Sequence, residues 1–231
     1  MEERRFDIPR YLSLLPLFTD LDAEELARIG AGSTLRRYTR GDMVFRIGEP
    51  CEGFHVVVTG QVKLSVLSAV GQEKVIELVG PGNTFGEALM FSGRPYVVGV
   101  QVLADSTLLA VSKQTVFAEI ERDPRFAMRM LAGMSRRLHG LIHDVQNYTL
   151  HSGMQRIIGY LLRDSDEGHP PDAPMVVSLP ASKATIASRL SITPEYFSRV
   201  LHELESAGLV QIDKRELRIP DPQQLSRYPM R

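Results

Sequence analysis

The sequence predicts an α+β fold in which an N-terminal β-roll of the jelly-roll kind leads into a long helix and then into a C-terminal winged helix-turn-helix. Three observations predict it. Residues 33–112 alternate short β-rich runs with glycine and proline, residues 123–152 carry one continuous helical pattern of apolar side chains, and residues 182–210 contain two short capped helical patterns around a tight turn. We expect domains over 1–122, 123–152 and 153–231.

Charge balance, hydropathy and cysteine count exclude several classes of protein but do not identify a function. The chain has 27 basic and 28 acidic residues, so its net charge does not indicate a nucleic-acid partner. No apolar run approaches the ~20 residues that span a bilayer, and the N-terminus lacks the apolar core of a signal peptide. We therefore expect a cytoplasmic protein with no membrane partner. A single cysteine, Cys51, excludes an internal disulfide, a CxxC zinc site and a cysteine-ligated iron–sulfur cluster.

The first 112 residues predict two short helices followed by a β-sandwich or barrel. Leu12, Leu15 and Phe18 begin an apolar stripe, and residues 22–29 predict a short helix with acidic residues in its first turn. Seven strand-like runs follow at spacings near ten residues, joined by glycine turns and broken by one helical insertion, GEALMF. These runs are TLRRY, MVFRI, FHVVV, QVKLSVL, EKVIELV, VVGVQVL and STLLAVS.

A long helix is predicted to open at Asp123-Pro124, because proline is tolerated in a first turn. Its apolar residues recur at spacings of three and four, which is a heptad seam. The seam favours a parallel homodimer, since strict heptad spacing is narrower than a globular face needs. The alternative is an amphipathic helix packed on its own domain. The seam residues are Leu131, Met134, Leu138, Leu141, Val145 and Tyr148.

The segment 182–210 predicts a helix-turn-helix. Ser182 is the N-cap of a first helix over 183–190, residues 191–193 form the turn, and Thr193 caps a second helix that begins at Pro194. Apolar residues repeat along one face of the second helix and must pack inward. They are Phe197, Val200, Leu201 and Leu204.

The outer face of the second helix has the polar chemistry that reads bases in a major groove. Glu195, Ser198, Arg199 and His202 repeat at helical spacing, and an arginine there can donate twice to guanine. A hairpin wing follows Gly208. We predict that double-stranded DNA also contacts Lys183, Thr193, Lys214 and Arg215. The alternative is a solvated face on a small helical hairpin, because residues 151–231 hold ten basic and ten acidic side chains.

The β-roll carrying FGEALMF, the long helix and the segment IASRLSITPEYFSRVLHELESAGLV together resemble the Crp–Fnr family of bacterial transcription regulators. The resemblance covers nearly the whole chain. It implies a cyclic-nucleotide-binding-like roll and an effector-responsive homodimer that binds a TTGAT-like palindrome and acts with RNA polymerase. The E-x-x-S-R pattern of the Fnr branch is carried by Glu195, Ser198 and Arg199, while Ser191 stands where the family often has glycine.

The resemblance also places an effector pocket in the roll. Its residues are Phe85, Gly86, Glu87, Ala88, Leu89, Tyr96 and Val97. Members that bind cyclic AMP carry F-G-E and then G-R-P-R-[ST]-A, but Tyr96 and Val97 occupy the two phosphate positions here. A partly buried phosphate needs charge-assisted donors, so cyclic AMP is disfavoured. Arg94 is expected at the surface.

Several stretches, among them PYV at 95–97, resemble the Dnr branch, which regulates dissimilatory nitrate respiration. That resemblance implies a haem-dependent nitric oxide sensor, with His55, His139 and His143 as candidate axial ligands. The alternatives are a regulator with another effector or none, and an effector-binding module that controls a partner protein without DNA. No nucleophile elbow, metal-ligand cluster or P-loop is present in the sequence, so we do not expect an enzyme.

Overall fold

A computed structural model of the chain describes residues 6–18, 21–162 and 173–228, without the side chains of His143, Asn147 and Tyr148. The described residues divide into two compact units. The first runs to Gly71 and resumes over Ile76–Gly140, and the second comprises Gln72–Val75 and the chain from Leu141 onward.

The first unit begins with two short helices, α1 (Ile8–Leu12) and α2 (Ala23–Ala31). The predicted short helix with an acidic first turn is confirmed as α2, and a capping box starts it. The Asp22 carboxylate accepts from the Glu24 and Glu25 N–H groups, and the Glu25 carboxylate accepts from the Asp22 N–H at 2.8 Å. Leu12, Leu15 and Phe18 are buried, which confirms the predicted apolar stripe.

A six-stranded antiparallel sheet forms the body of this unit. Its order is β1-β6-β3-β4, with β2 paired to β6 and β5 paired to β3. The helix α3 (Glu87–Ser92) confirms the helical insertion. The strands are β1 (Ser33–Tyr38), β2 (Met43–Phe45), β3 (Gly53–Leu67), β4 (Glu73–Val79), β5 (Thr84–Phe85) and β6 (Gly99–Ser112).

Two predicted strand boundaries were wrong. FHVVV and QVKLSVL belong to one strand, β3, and the last two runs form most of β6. Gly60 lies inside β3 with a φ of 85°, where a Cβ would lie 2.6 Å from the Asp105 carbonyl oxygen. The pairing of β3 with β6 shifts register around this point. Gly60 therefore accommodates a bulge and a close approach of two strands rather than a turn.

The core of the first unit has two clusters. One packs Phe18 against Phe54 and Phe126, with ring centroids 6.4 and 6.1 Å apart. The other fills the sheet interior around Phe45, Phe85 and Tyr96 and is described below.

Two helices follow the sheet, α4 (Lys113–Arg122) and α5 (Pro124–Leu150). The prediction that a long helix opens at Asp123-Pro124 is confirmed. Phe126 and Met130 are buried, and they anchor the start of α5 to its own unit. Leu131 and Leu138 point away from that core and are more than half exposed. The helix therefore carries two apolar stripes, one buried and one exposed. Packing of α5 on its own domain, the alternative to a dimer seam, accounts for the buried stripe and leaves the exposed stripe unexplained.

The second unit contains the end of α5, four more helices and a small sheet of order β7-β9-β8. The predicted strand at MVVSL is confirmed as β7, whereas most of the proline-rich loop before it lies outside the described residues. The elements are α6 (Gly153–Leu162), β7 (Met175–Ser178), α7 (Lys183–Arg189), α8 (Pro194–Ser206), β8 (Gln211–Asp213), β9 (Glu216–Ile219) and α9 (Pro222–Ser226). Over the described ranges, no helix has both the length and the apolar character that crossing a bilayer requires.

Candidate DNA-binding surface and effector pocket

The helices α7 and α8 begin where the sequence predicted. The Ser182 hydroxyl accepts from the Thr185 N–H at 3.1 Å, and the Thr193 hydroxyl accepts from the Tyr196 N–H at 3.2 Å. Pro194 occupies the first position of α8, where its missing N–H costs nothing. The two helix starts are therefore fixed by local chemistry.

The turn between α7 and α8 requires a left-handed residue. Ser191 has a φ of 55°, the region that glycine adopts most easily. The Arg156 guanidinium braces this turn by donating to the Leu190 and Ser191 carbonyl oxygens at 2.5 and 3.0 Å. The serine found at the usual glycine position therefore still adopts the turn geometry, and a neighbouring side chain holds it there.

The inner and outer faces of α8 are separated as predicted. Phe197, Val200, Leu201 and Leu204 are all buried. On the opposite side Glu195, Arg199 and His202 are exposed, and Ser198 is half-buried. This arrangement presents a short row of charged and polar groups near the start of the helix, where a major-groove reader needs them.

Two of these outer residues have partners in the structure. The Arg199 guanidinium carbon lies 5.0 Å from the centroid of the Tyr196 ring, a cation–π contact. His202 Nδ1 lies 3.4 Å from the Glu205 carboxylate. The sequence analysis did not include Tyr196, although its position three residues before Arg199 on a helix was the signal that could have found this contact.

The wing is a hairpin with a two-residue turn. Asp213 pairs with Glu216, so Lys214 and Arg215 form the tip, and both are exposed. Lys214 has a φ of 54°. The Leu179 N–H, directly after β7, donates to the Arg215 carbonyl at 2.8 Å and ties the tip of the wing to that strand.

The remaining predicted DNA-contact residues lie at helix starts. Lys183 is half-buried in the first turn of α7, and the hydroxyl of the exposed Thr193 is engaged in its cap. Arg189, in the last turn of α7, pairs with Asp144 at 3.5 Å and is mostly buried. Among the lysines and arginines predicted to contact DNA, Arg199 on α8 and the two wing-tip residues are exposed.

The roll interior at the phosphate position is filled by aromatic rings. Tyr96 stacks on Phe45 with centroids 3.6 Å apart and planes 7° apart, and its hydroxyl donates to the Gly53 carbonyl at 3.3 Å. Burial, and then its hydrogen bond with Cys51, raises the pKa of Tyr96. The phenol stays neutral at physiological pH, so it offers no charge to a phosphate.

The seven predicted pocket residues do not line one space. Phe85 and Tyr96 are buried in the aromatic cluster, whereas Ala88 and Val97 are exposed. Gly86 takes a φ of 92° before α3, and Leu89 packs at the edge of the cluster. Among the seven, Glu87 lines a cavity that also reaches α5. Arg94 is exposed, as predicted.

That cavity measures about 320 Å³ and lies between the segment 15–17, the sheet and α5. The Arg137 guanidinium, from α5, donates to the Thr84 carbonyl at 3.1 Å and to Glu87 Oε1 at 3.0 Å, and it also pairs with the Glu77 carboxylate. Glu87 Oε2 is buried without a hydrogen-bond partner. One arginine thus joins two carboxylates across the cavity wall, a contact that sequence spacing does not reveal.

The two candidate haem ligands whose side chains are described, His55 and His139, lie in different surroundings. His55 lies in β3 with its ring stacked 5.1 Å from Phe85, and burial lowers its pKa to about 4. His139 is exposed, with Nδ1 3.0 Å from the Ser135 carbonyl. The side chain of His143 lies outside the described residues. Neither His55 nor His139 lines the 320 Å³ cavity.

Comparison with known proteins supports both halves of this description. Residues 35–123 match the family model of the cyclic nucleotide-binding domain, and residues 155–228 match the Crp-like helix-turn-helix domain. The crystal structure of DNR from Pseudomonas aeruginosa is 33% identical, with a TM-score of 0.53, over 97% of this chain and 100% of that one. The chain belongs to the Crp–Fnr family. Members of this family are DNA-binding transcription regulators, and the helix-turn-helix described above is the matching domain of this one.

Two further proteins are similar to this Crp–Fnr regulator, one in sequence and one in structure. The cyclic AMP receptor protein of Thermus thermophilus is 27% identical over 197 residues, which are 85% of this chain and 88% of that protein. FixK2 from Bradyrhizobium japonicum, at 22% identity and a TM-score of 0.74 over 84% of this chain and 95% of that one, shares the fold. The relatives are regulators, which confirms the expectation that the chain is not an enzyme.

Proposed function

We propose that this Crp–Fnr regulator binds a TTGAT-like palindrome as a homodimer and reads it with Glu195, Ser198 and Arg199 of α8. The observation that carries the proposal is the outer face of that helix. Its two charged members are exposed next to caps that fix the start of the helix. Arginine donates twice to guanine, glutamate accepts from cytosine, and serine serves either partner. Lys214 and Arg215 at the wing tip contact phosphate.

The exposed stripe of α5 supports the dimer. Leu131, Leu138, Leu141 and Val145 are each at least two-fifths exposed. Met134, between them, is half-buried and lines the cavity. Exposing these apolar side chains to water is unfavourable in an isolated chain. Packing against the same stripe of a second copy, at heptad spacing, buries them.

The effector acts by shifting a population of dimers. Two recognition helices must enter successive major grooves about 34 Å apart. An effector that binds better to the dimers that meet this spacing increases their share, by as much as its affinity differs between the two states. The stacked, neutral Tyr96 argues against cyclic AMP as that effector, although a relative carries that name.

A binding titration tests the DNA assignment. The purified full chain is titrated against a labelled duplex with the palindrome and against a scrambled duplex, over a series of salt concentrations and by fluorescence anisotropy. We expect preference for the palindrome and an affinity that falls steeply with salt. Equal binding to the two duplexes would reject sequence reading and favour a module that controls a partner protein.

Haem-dependent nitric oxide sensing is the second candidate function. What favours it is the replacement of a phosphate site by apolar and aromatic side chains, together with the Dnr-like sequence stretches. The described histidines oppose it in this conformation, because His55 is packed among rings. A haem titration followed by absorption tests it. A saturable Soret band at one haem per chain, shifted by nitric oxide, would support sensing; its absence would leave the DNA assignment in place and direct the search to other effectors or to none.

A further inference from the structure

The ring of Tyr196, at the start of α8, contacts both Arg199 and the backbone of Gly153. It belongs to the first turn of the helix, where the Thr193 hydroxyl accepts from its backbone N–H. The ring is half-buried, and the guanidinium of Arg199, three residues on, lies over it at 5.0 Å. Residues three apart are neighbours on a helix surface, so this contact follows from the helical spacing once both side chains point the same way.

The ring also lies against the start of α6. A Cβ built on Gly153 would lie 2.6 Å from Tyr196 Cε1, 3.0 Å from Cζ and 3.1 Å from the hydroxyl oxygen. The first separation is shorter than real Cβ contacts, and the other two are tighter than most of them. A side chain at residue 153 would therefore displace the ring from this place, and the φ of Gly153 is not in the region that otherwise favours glycine.

We infer that Tyr196 is a positioning residue for Arg199: held between the cap at Thr193 and the bare backbone at Gly153, its ring orients the guanidinium that reads the base. The inference rests on the proposed role of Arg199 and extends it to a residue that itself reads no base. An exposed arginine has many rotamers, and most of them do not present its planar fork to a guanine edge. A ring whose backbone is held by the Thr193 cap and whose edge packs at Gly153 reduces that freedom before DNA is bound.

This arrangement makes three substitutions informative. Tyr196→Phe keeps the ring and removes the hydroxyl, whereas Tyr196→Leu keeps apolar bulk and removes the ring. Gly153→Ala leaves both α8 residues intact and displaces the ring from its seat. If the ring acts on Arg199, the second and third changes weaken recognition alike and the first does not.

The test is a double-mutant cycle on DNA affinity, with Tyr196→Leu and Arg199→Ala made singly and together. Each protein is titrated against the palindrome and against duplexes with one base pair changed. We expect Tyr196→Leu to lose about three- to fivefold in affinity for the palindrome, in line with an exposed cation–π contact, and to relax the same base pair that Arg199→Ala relaxes. In the Arg199→Ala background the further loss is expected to vanish, and Tyr196→Phe stays within about twofold of the parent.

Three results would overturn the inference. The first is additivity, in which Tyr196→Leu costs as much without Arg199 as with it. The second is an equal loss on the scrambled duplex together with a loss for Tyr196→Phe, which would make the hydroxyl a phosphate contact. The third is an Arg199→Ala protein that still discriminates at every base pair, and this one also removes Arg199 from the proposed function. If Tyr196→Leu does not fold, Gly153→Ala replaces it in the same cycle.

Discussion

Replacing Arg137 by methionine should destabilise the first unit strongly, because it leaves a buried carboxylate without its cation. Methionine keeps most of the aliphatic volume and removes the charge. The Arg137 side chain is 25% exposed and that of Glu87 only 10%. Removing one partner of a buried pair costs about 3–5 kcal/mol, and partial exposure of the arginine and of Glu77 reduces this. We expect a loss of about 2–3 kcal/mol in the free energy of unfolding.

Urea unfolding of the full chain at one fixed protein concentration measures this loss. The variant Arg136→Met is the matched control, since Arg136 borders the same cavity and is exposed. It should stay within about 0.5 kcal/mol of the parent. Adding Glu87→Gln to Arg137→Met removes the stranded charge and should restore at least about 1 kcal/mol. Equal stability of the Arg136 and Arg137 variants, or no recovery from Glu87→Gln, would refute the reasoning.

Three further predictions concern DNA and pH. Arg199→Ala should cost ~1–3 kcal/mol of binding free energy and relax specificity at one base pair, whereas an equal loss on all duplexes in anisotropy titrations would make it a phosphate contact. Lys214→Ala should weaken all duplexes alike and lower the salt slope by about one; alanine suits the positive φ no better than lysine, so charge alone changes. An unchanged slope would remove Lys214 from the interface. His55 has a pKa of about 4 in the folded chain, below its unfolded value, so its contribution to stability is complete above about pH 6.5 and is lost as pH falls toward 4. The stability of His55→Phe relative to the parent should therefore rise by roughly 2–3 kcal/mol between about pH 7 and pH 4.5 in urea unfolding, and a constant difference would contradict the burial argument.

Local chemistry decided what the sequence could predict. The starts of α7 and α8 were predictable because Ser182, Thr193 and Pro194 act on groups within three residues of themselves. The inward row of α8 was predictable for a related reason, since helical spacing alone separates its two faces. Gly60 was misread because a glycine in a turn and a glycine at a bulge look alike until the partner strand is known.

Contacts between distant parts of the chain were not predictable. Arg137 meets Glu87 across 50 residues and Glu77 across 60, and no periodicity links them. The Tyr196 ring lies against Gly153, the first residue of α6. The sequence alone did not distinguish Tyr196 from a tyrosine that simply lies at the surface. The effector pocket was inferred from a family pattern, and the structure shows Tyr96 filling the space that this pattern assigns to phosphate.

The stack of Tyr96 on Phe45 has a consequence for any molecule that binds inside the roll. The Tyr96 ring already fills that space. A ligand must therefore displace a side chain that is part of the same chain and is always present beside the site. The observed affinity is the intrinsic affinity multiplied by the fraction of chains whose ring has left. Each ~1.4 kcal/mol that holds the ring in place weakens binding tenfold, so a screen at low ligand concentration would miss ligands that Tyr96→Ala would reveal.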